Sequence, residues 1–274
     1  MKQKTQVNLN LILYEYLLGI SHAFKFVEDS PFKIAPVWNT YKEIYFYLTG
    51  KTTDYLTSTS KMENGSFGYS ASNCKAGGHL QKIKNSICSI CYGMVGQYAF
   101  KNYVTKSKRT VESIDKEFWK EAMVFLINKK RFNKFRWFDN GDLLSDKMLR
   151  DIFYVAEHTP DVKHWLPTKE YRMVKRVIES GLNKPDNLDI RLSAFKINGK
   201  PPIKLARRLG VNCSVALTPD EFKKRKDGFK CHTAHSFRDK FKESKPELYE
   251  ILSHCSGCTA CYNNRVDVIY YEVH

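Results

Sequence analysis

The stretch "KFRWFDNGDLLSDKMLRDIFYVAEHTPDVKHWLPTKE", residues 134–170, reads as strand, loop, helix and strand in that order. Residues 134–139 are a short, largely aromatic run, as expected of a strand covered on both faces. Ser145 stands where a helix N-cap belongs, and Met148, Leu149, Ile152, Phe153 and Ala156 then fall on one helical face. Pro160 ends that helix, and "KHWLP" (163–167) is the next strand. A unit of this length is a right-handed crossover between parallel neighbours.

The unit repeats on both sides. "KEYRMVKRVIES" predicts a helix with Met173, Val174, Val177 and Ile178 inward and Gly181 beyond its end. "LDIRLSAF" (188–195), the helix "IKLARRLG" and the strand "VNCSVAL" (211–217) continue the alternation. Backwards, "SFGYSAS" (66–72) reads as a first strand and "SIDKEFWKEAMVFLINKK" (113–130) as a crossover helix. Residues 9–25 carry apolar residues at helical spacing, and "TYKEIYFYLTG" is a second helix closed by Gly50. The expected fold is α/β, a partial (βα) barrel at 65–225 between a helical N-terminal cap at 1–64 and a cysteine-rich C-terminal extension at 226–274. In parallel sheets chemistry gathers at the carboxyl ends of the strands. "NGD" (140–142), "TKE" (168–170) and "LTPD" (217–220) fall at such ends.

The chain has 274 residues, 42% of them hydrophobic, enough for a large core. Lys+Arg is 45 against Asp+Glu 29, a net charge of +16, which favours nucleic acid as a partner through phosphate contacts. Glu15 and several asparagines interrupt the apolar N-terminal run, and no stretch reaches the ~20 apolar residues of a membrane span. A cytoplasmic location without membrane contact is expected. There, eight cysteines point to metal or redox chemistry rather than to disulfides.

Two segments hold most of the sulfur. "SASNCKAGGHLQKIKNSICSICYG" contains Cys74 and the Cys88/Cys91 pair, directly after the first predicted strand. Three thiolates suit either a zinc site closed by a fourth ligand such as His79, or a [4Fe–4S] cluster with one iron left open. "HCSGCTACY" places Cys255, Cys258 and Cys261 two residues apart, a ferredoxin-type run, with Cys231 of "KCHTAHSF" as the fourth ligand of a closed cluster. Zinc is the alternative metal there as well. His232, His235 and His254 lie near these cysteines as hydrogen-bonding or solvated groups. Cys213 is left over inside a strand as a small buried hydrophobe.

Three clustered cysteines after the first strand of a partial barrel, with Tyr92 beside the last, resemble the radical S-adenosylmethionine enzymes. Asn140-Gly141-Asp142 resembles their Gly-Gly-Glu segment, which contacts the methionine amino group. "SASNC", "NSICSICY" and "WFDNGD" more closely resemble a phage- and plasmid-borne family called gene product eighty-eight, from about residue 55 onward. The radical S-adenosylmethionine resemblance implies a fold and a chemistry. Cys74, Cys88 and Cys91 would hold an open-iron cluster, with Asn140, Gly141, Asp142, Thr168 and Ser193 lining the cofactor pocket and Asp142 taking the methionine ammonium. The reduced cluster would split S-adenosylmethionine to a 5′-deoxyadenosyl radical that takes hydrogen from a nucleic acid or nucleotide-related substrate. A flavodoxin or ferredoxin would supply the electron, and the host cytoplasm would be the setting. Cys231, Cys255, Cys258 and Cys261 would then form an auxiliary cluster.

The basic runs "KSKRT", "NKKRFNKFR", "KLARRLG" and "EFKKRKDGFK" are interleaved with Phe132, Phe135, Phe222 and Phe229, which would stack on unpaired bases or fill the core. No phosphate-binding glycine loop, HExxH or GxSxG motif is present. Two further readings stand beside the enzyme: a nucleic-acid-binding protein braced by iron–sulfur or zinc sites, and an iron–sulfur nuclease using Asp139, Asp142 and Glu170.

Overall fold

In a computed structural model, which describes residues 36–59, 62–255 and 257–273, eight strands join one sheet. They are β1 (Thr57–Thr59), β2 (Met62–Phe67), β3 (Lys134–Trp137), β4 (Lys163–Thr168), β5 (Leu188–Ser193), β6 (Asn212–Leu217), β7 (Phe229–Lys230) and β8 (Val268–Glu272). Their order is β1-β2-β3-β4-β5-β6-β8-β7. β1 and β2 form an antiparallel hairpin, and all other pairs are parallel. The edges β1 and β7 do not pair with each other among the described residues, so this mixed α/β sheet is open. The helix expected over 9–25 lies outside the described residues.

The crossover helices form where their periodicity places them. Ser145 accepts a hydrogen bond from the Met148 amide at 3.1 Å and starts helix Asp146–Glu157. All five residues expected on its inner face are buried. At roughly 1.5–3 kcal/mol for each large apolar side chain removed from water, that face fixes the helix on the sheet. Helix Tyr171–Glu179 buries Val174 and Val177 fully, and Met173 and Ile178 only in part. Gly50 at φ +66° and Gly210 at φ +62° close helices Tyr41–Thr49 and Ile203–Leu209. Beneath the helices, Phe67, Trp119 and Trp137 meet with ring centroids about 6 Å apart, all fully buried.

Several elements differ from expectation. The first parallel strand is β2 at 62–67, not 66–72, because Ser70 turns the chain out of the sheet by capping a helical turn at Ala71–Asn73. The span 113–130 holds helix Trp119–Lys129 alone. A second helix, Lys101–Ser113, precedes it, and its buried face is Ser107, Thr110 and Ser113, which carries no apolar stripe. Hydrogen bonds replace that stripe: the Ser70 amide donates to Ser107 Oγ, and Tyr55 OH meets Ser113 Oγ at 2.6 Å. The tail contributes β7 and β8, and β8 enters the sheet between β6 and β7.

Period-two alternation gives the sheet a second face. Trp165 pairs in register with Arg136 on one side and Asp189 on the other, so the three point together. Pro167 pairs with Arg191 and Ala216 with Tyr271, which extends this face across β5, β6 and β8. Among the described residues no helix is long and apolar enough to cross a membrane.

Candidate cysteine-lined active site

A cavity of about 220 Å³ opens at the carboxyl ends of β2 to β5. Cys74, Cys88 and Cys91 line it from the segment after β2, and Asn140, Gly141 and Asp142 line it from the loop after β3. Thr168 and Ser193, the last residues of β4 and β5, complete the wall. The structure thus brings together all eight front residues singled out by sequence. His79 is exposed and is not part of the lining.

Asp142 is buried, and the chain itself holds its carboxylate. Oδ1 accepts from Thr168 Oγ1 at 2.5 Å and from the Leu143 amide at 2.7 Å, while Oδ2 accepts from the Lys169 amide at 2.8 Å. A carboxylate oxygen has room for about two donors, so Oδ2 keeps one position for a ligand. Burial raises the Asp142 pKa, against the pull of Lys169. Burial also pushes the Cys74 thiol up to about 12 and raises Cys88, with Asp142 adding to both. Two desolvated thiols beside a carboxylate form a site that a cation would stabilise.

The loop after β3 needs its glycine and its asparagine. Gly141 sits at φ +90°, and an added Cβ would come within 2.7 Å of the Tyr69 ring. Asn140 Oδ1 accepts from the Gly141 amide at 2.9 Å, and Nδ2 reaches the Gly93 carbonyl at 3.4 Å. A Cβ on Gly93 would stand 2.1 Å from Asn140 Oδ1. The side chain therefore clasps the cysteine segment to β3. Tyr92 adds a second clasp by donating its hydroxyl to the Asp139 carbonyl.

The rear cysteines lie on the second face of the sheet. Tyr262 meets the Trp165 ring edge-on at 6.0 Å, and Cys255, Cys261 and Tyr271 pack around that pair. Burial pushes the Cys261 thiol up to about 12, with Cys231 and Cys255 adding to the rise and the Tyr271 hydroxyl, at 3.1 Å, opposing it. Cys231 meets Thr233 Oγ1 at 3.2 Å, and the Cys258 carbonyl accepts from Lys134 Nζ at 3.4 Å. The three histidines have other partners: His232 meets the His254 carbonyl, His235 meets Arg238, and His254 meets Glu250. Cys213 is buried in β6. Among the described residues, no three His, Cys, Asp or Glu side chains form a group that could hold a metal ion as they stand. In donor type both cysteine sets suit iron–sulfur or zinc ligation, and binding would have to draw the sulfurs together.

Sequence reading missed the groups that hold the two regions. Arg191, fully buried, donates to the carbonyls of Val266 at 2.8 Å, Ala260 at 3.0 Å and Asn263 at 3.1 Å, and pairs with Asp189 at 2.5 Å. Arg136 lines the front cavity with its guanidinium 4.7 Å from the Trp165 ring centroid. The signal was present: both arginines interrupt otherwise apolar strands, "KFRWFD" and "LDIRLS". Of the four phenylalanines considered for base stacking, Phe135 and Phe222 are buried in the core, whereas Phe229 is exposed.

A family model described as Gene product 88 matches residues 41–264. No curated protein and no solved structure matches the chain.

Proposed function

The chain belongs to the Gene product 88 family, a description that names no reaction, and from the site itself we propose a radical S-adenosylmethionine-type iron–sulfur enzyme acting on nucleic acid or a nucleotide-related substrate. One observation carries the reading: residues from four separate strand ends, Cys74/Cys88/Cys91, Asn140–Asp142, Thr168 and Ser193, line a single cavity. Three thiols leave a tetrahedral or cubane donor set one short, and the exposure of His79 supports an open position.

Bound there, a [4Fe–4S] cluster and S-adenosylmethionine would supply reductive cleavage of a sulfonium C–S bond and hydrogen abstraction from a substrate. The residues would do the positioning. Cys74, Cys88 and Cys91 would ligate three irons. The remaining acceptor position on Asp142 Oδ2 suits an ammonium, because Thr168 and the Lys169 amide already fix the carboxylate's plane. Gly141 would keep the loop in its left-handed turn against Tyr69 and so hold Asp142 at the cavity wall. Ser193 Oγ, 3.0 Å from Ser214 Oγ, offers a hydroxyl at the far wall. Cys231, Cys255, Cys258 and Cys261 would hold a closed second cluster, and a small flavin or iron–sulfur protein would be the reductant.

Anaerobic purification with iron and sulfide analysis, followed by electron paramagnetic resonance with and without S-adenosylmethionine, tests this reading. A signal that shifts on S-adenosylmethionine addition, with 5′-deoxyadenosine formed after reduction, is the expected result. Zinc alone, or clusters indifferent to S-adenosylmethionine, would leave a metal-braced nucleic-acid-binding protein in its place.

A further inference from the structure

The front cavity contains a cation that the proposed chemistry does not use. Arg136 projects from β3 onto the second sheet face and lines the cavity beside Tyr92 and Asp139. Its planar group lies over Trp165, which fixes its orientation. Its hydrogen bonding is poor for a guanidinium with five donors. Nη2 reaches Tyr92 OH at 3.4 Å, Nη1 reaches Met62 Sδ at 3.9 Å, and the buried Nε has no partner. Tyr92 and then Asp139 are the acidic groups it feels most, but the Asp139 carboxylate accepts from Thr57 Oγ1 at 3.0 Å and makes no ion pair with Arg136 among the described residues. Arg191 is the internal contrast. It is fully buried where Arg136 is half-buried, and its carboxylate partner is 2.5 Å away.

A guanidinium held beside a cavity with its buried Nε unpartnered and its fork short of acceptors is one whose bonding an anionic ligand would complete. A planar fork next to a cavity recognises phosphate or carboxylate. The mouth of this cavity favours phosphate on a nucleotide. Ile90, Tyr92 and Met94 line it and stand 51%, 55% and 46% exposed, an apolar and aromatic rim above a cationic floor. A flat base with an anionic tail matches that arrangement, and the net charge of +16 draws such ligands in.

We propose that Arg136 anchors the substrate: the cavity takes a nucleotide phosphate on the Arg136 guanidinium, with the base against Tyr92 at the rim. The substrate class rests on the proposed function, whereas the anion site needs no cluster.

Calorimetric titration with adenosine 5′-monophosphate and with a 5′-phosphorylated DNA hexamer, on protein as isolated and after cluster reconstitution, tests the proposal. The two ligands distinguish a free nucleotide from a strand end. Arg136→Gln is expected to weaken binding of at least one at least tenfold in both preparations. Arg136→Lys, which keeps charge and loses the fork, should fall between. Lys204→Gln, an exposed residue with the same charge change, should match the parent. The melting temperature of Arg136→Gln should fall only slightly, because the variant gives up one long hydrogen bond and a ring contact but no ion pair. Equal nucleotide affinity in Arg136→Gln and the parent would overturn the proposal. So would loss of L-methionine binding in that variant with nucleotide binding intact, since the anion would then be a cofactor carboxylate. Clusters indifferent to S-adenosylmethionine, with phosphate binding still dependent on Arg136, would remove the enzyme reading and leave the anion site standing.

Discussion

The front and rear cysteine sets meet the same sheet but are held by opposite means. The front thiols line a cavity whose walls come from four strand ends, and their segment is clasped just past Cys91 through Asn140 and Tyr92. The rear loop presses onto the sheet face, where Arg191 gathers its carbonyls and Tyr262 packs on Trp165. One region keeps space and an unpaired guanidinium, while the other fills its space and pairs its charge. That difference is what a reactive site and a closed, structural or relay site would require of one scaffold.

Removing one thiol from each set should have the largest effect. In reconstituted protein, Cys88→Ala should lower iron from about eight to about four atoms per chain, and Cys258→Ala should do the same independently. Loss of all iron from either single variant would mean that the two sets do not load separately.

Next in size is Arg191→Met. Asp189 would be left buried without its partner, and the carbonyls of the rear loop would lose their donors. A loss of about 3–5 kcal/mol is expected in denaturant unfolding. Rear iron should also be lost before front iron during chelation. Equal rates of loss from both sets would sink the idea that Arg191 serves the rear region.

Acid should weaken both regions together, because β4 carries Thr168 to the front and Trp165 to the rear. Burial pushes His164, also in β4, down to about 3 from the ordinary value of 6.5. The fold holds it neutral, with one ring nitrogen 2.8 Å from Thr159 Oγ1. Its contribution is complete above about pH 6.5 and is lost as the pH falls below that, at up to about 1.4 kcal/mol per pH unit. His164→Gln should flatten the stability profile between pH 7 and 5.5. An unchanged slope would exclude His164 as its source.

Repeating units carried most of what could be read in advance. Apolar spacing in 134–217 marks four parallel strands and their helices, and the strand ends locate the front residues. Other elements lack that signal because they are held by polar contacts or by distant chain. Helix Lys101–Ser113 buries serines and a threonine, the β1–β2 hairpin is polar, and β8 depends on pairing with strands far earlier in the chain. Arg136 and Arg191 look alike in the sequence. Only packing reveals that one is paired and the other is not.

The smallest effect sharpens the contrast at the rear. Tyr271→Phe removes the hydroxyl 3.1 Å from Cys261 Sγ. It should cost about 0.5–1.5 kcal/mol and shift only the rear cluster's reduction potential in voltammetry. A shift at the front site instead would contradict the assignment of Cys261.

Sulfur is divided unequally along this chain, with three thiols lining a cavity and four carried by the tail. Mössbauer spectroscopy of protein reconstituted anaerobically with enriched iron, before and after S-adenosylmethionine, tests it directly. About one iron in eight should change its parameters on addition while the rest stay as they were. A spectrum in which no iron responds, or a chain that takes up only zinc, would rule out an open iron at the front thiols.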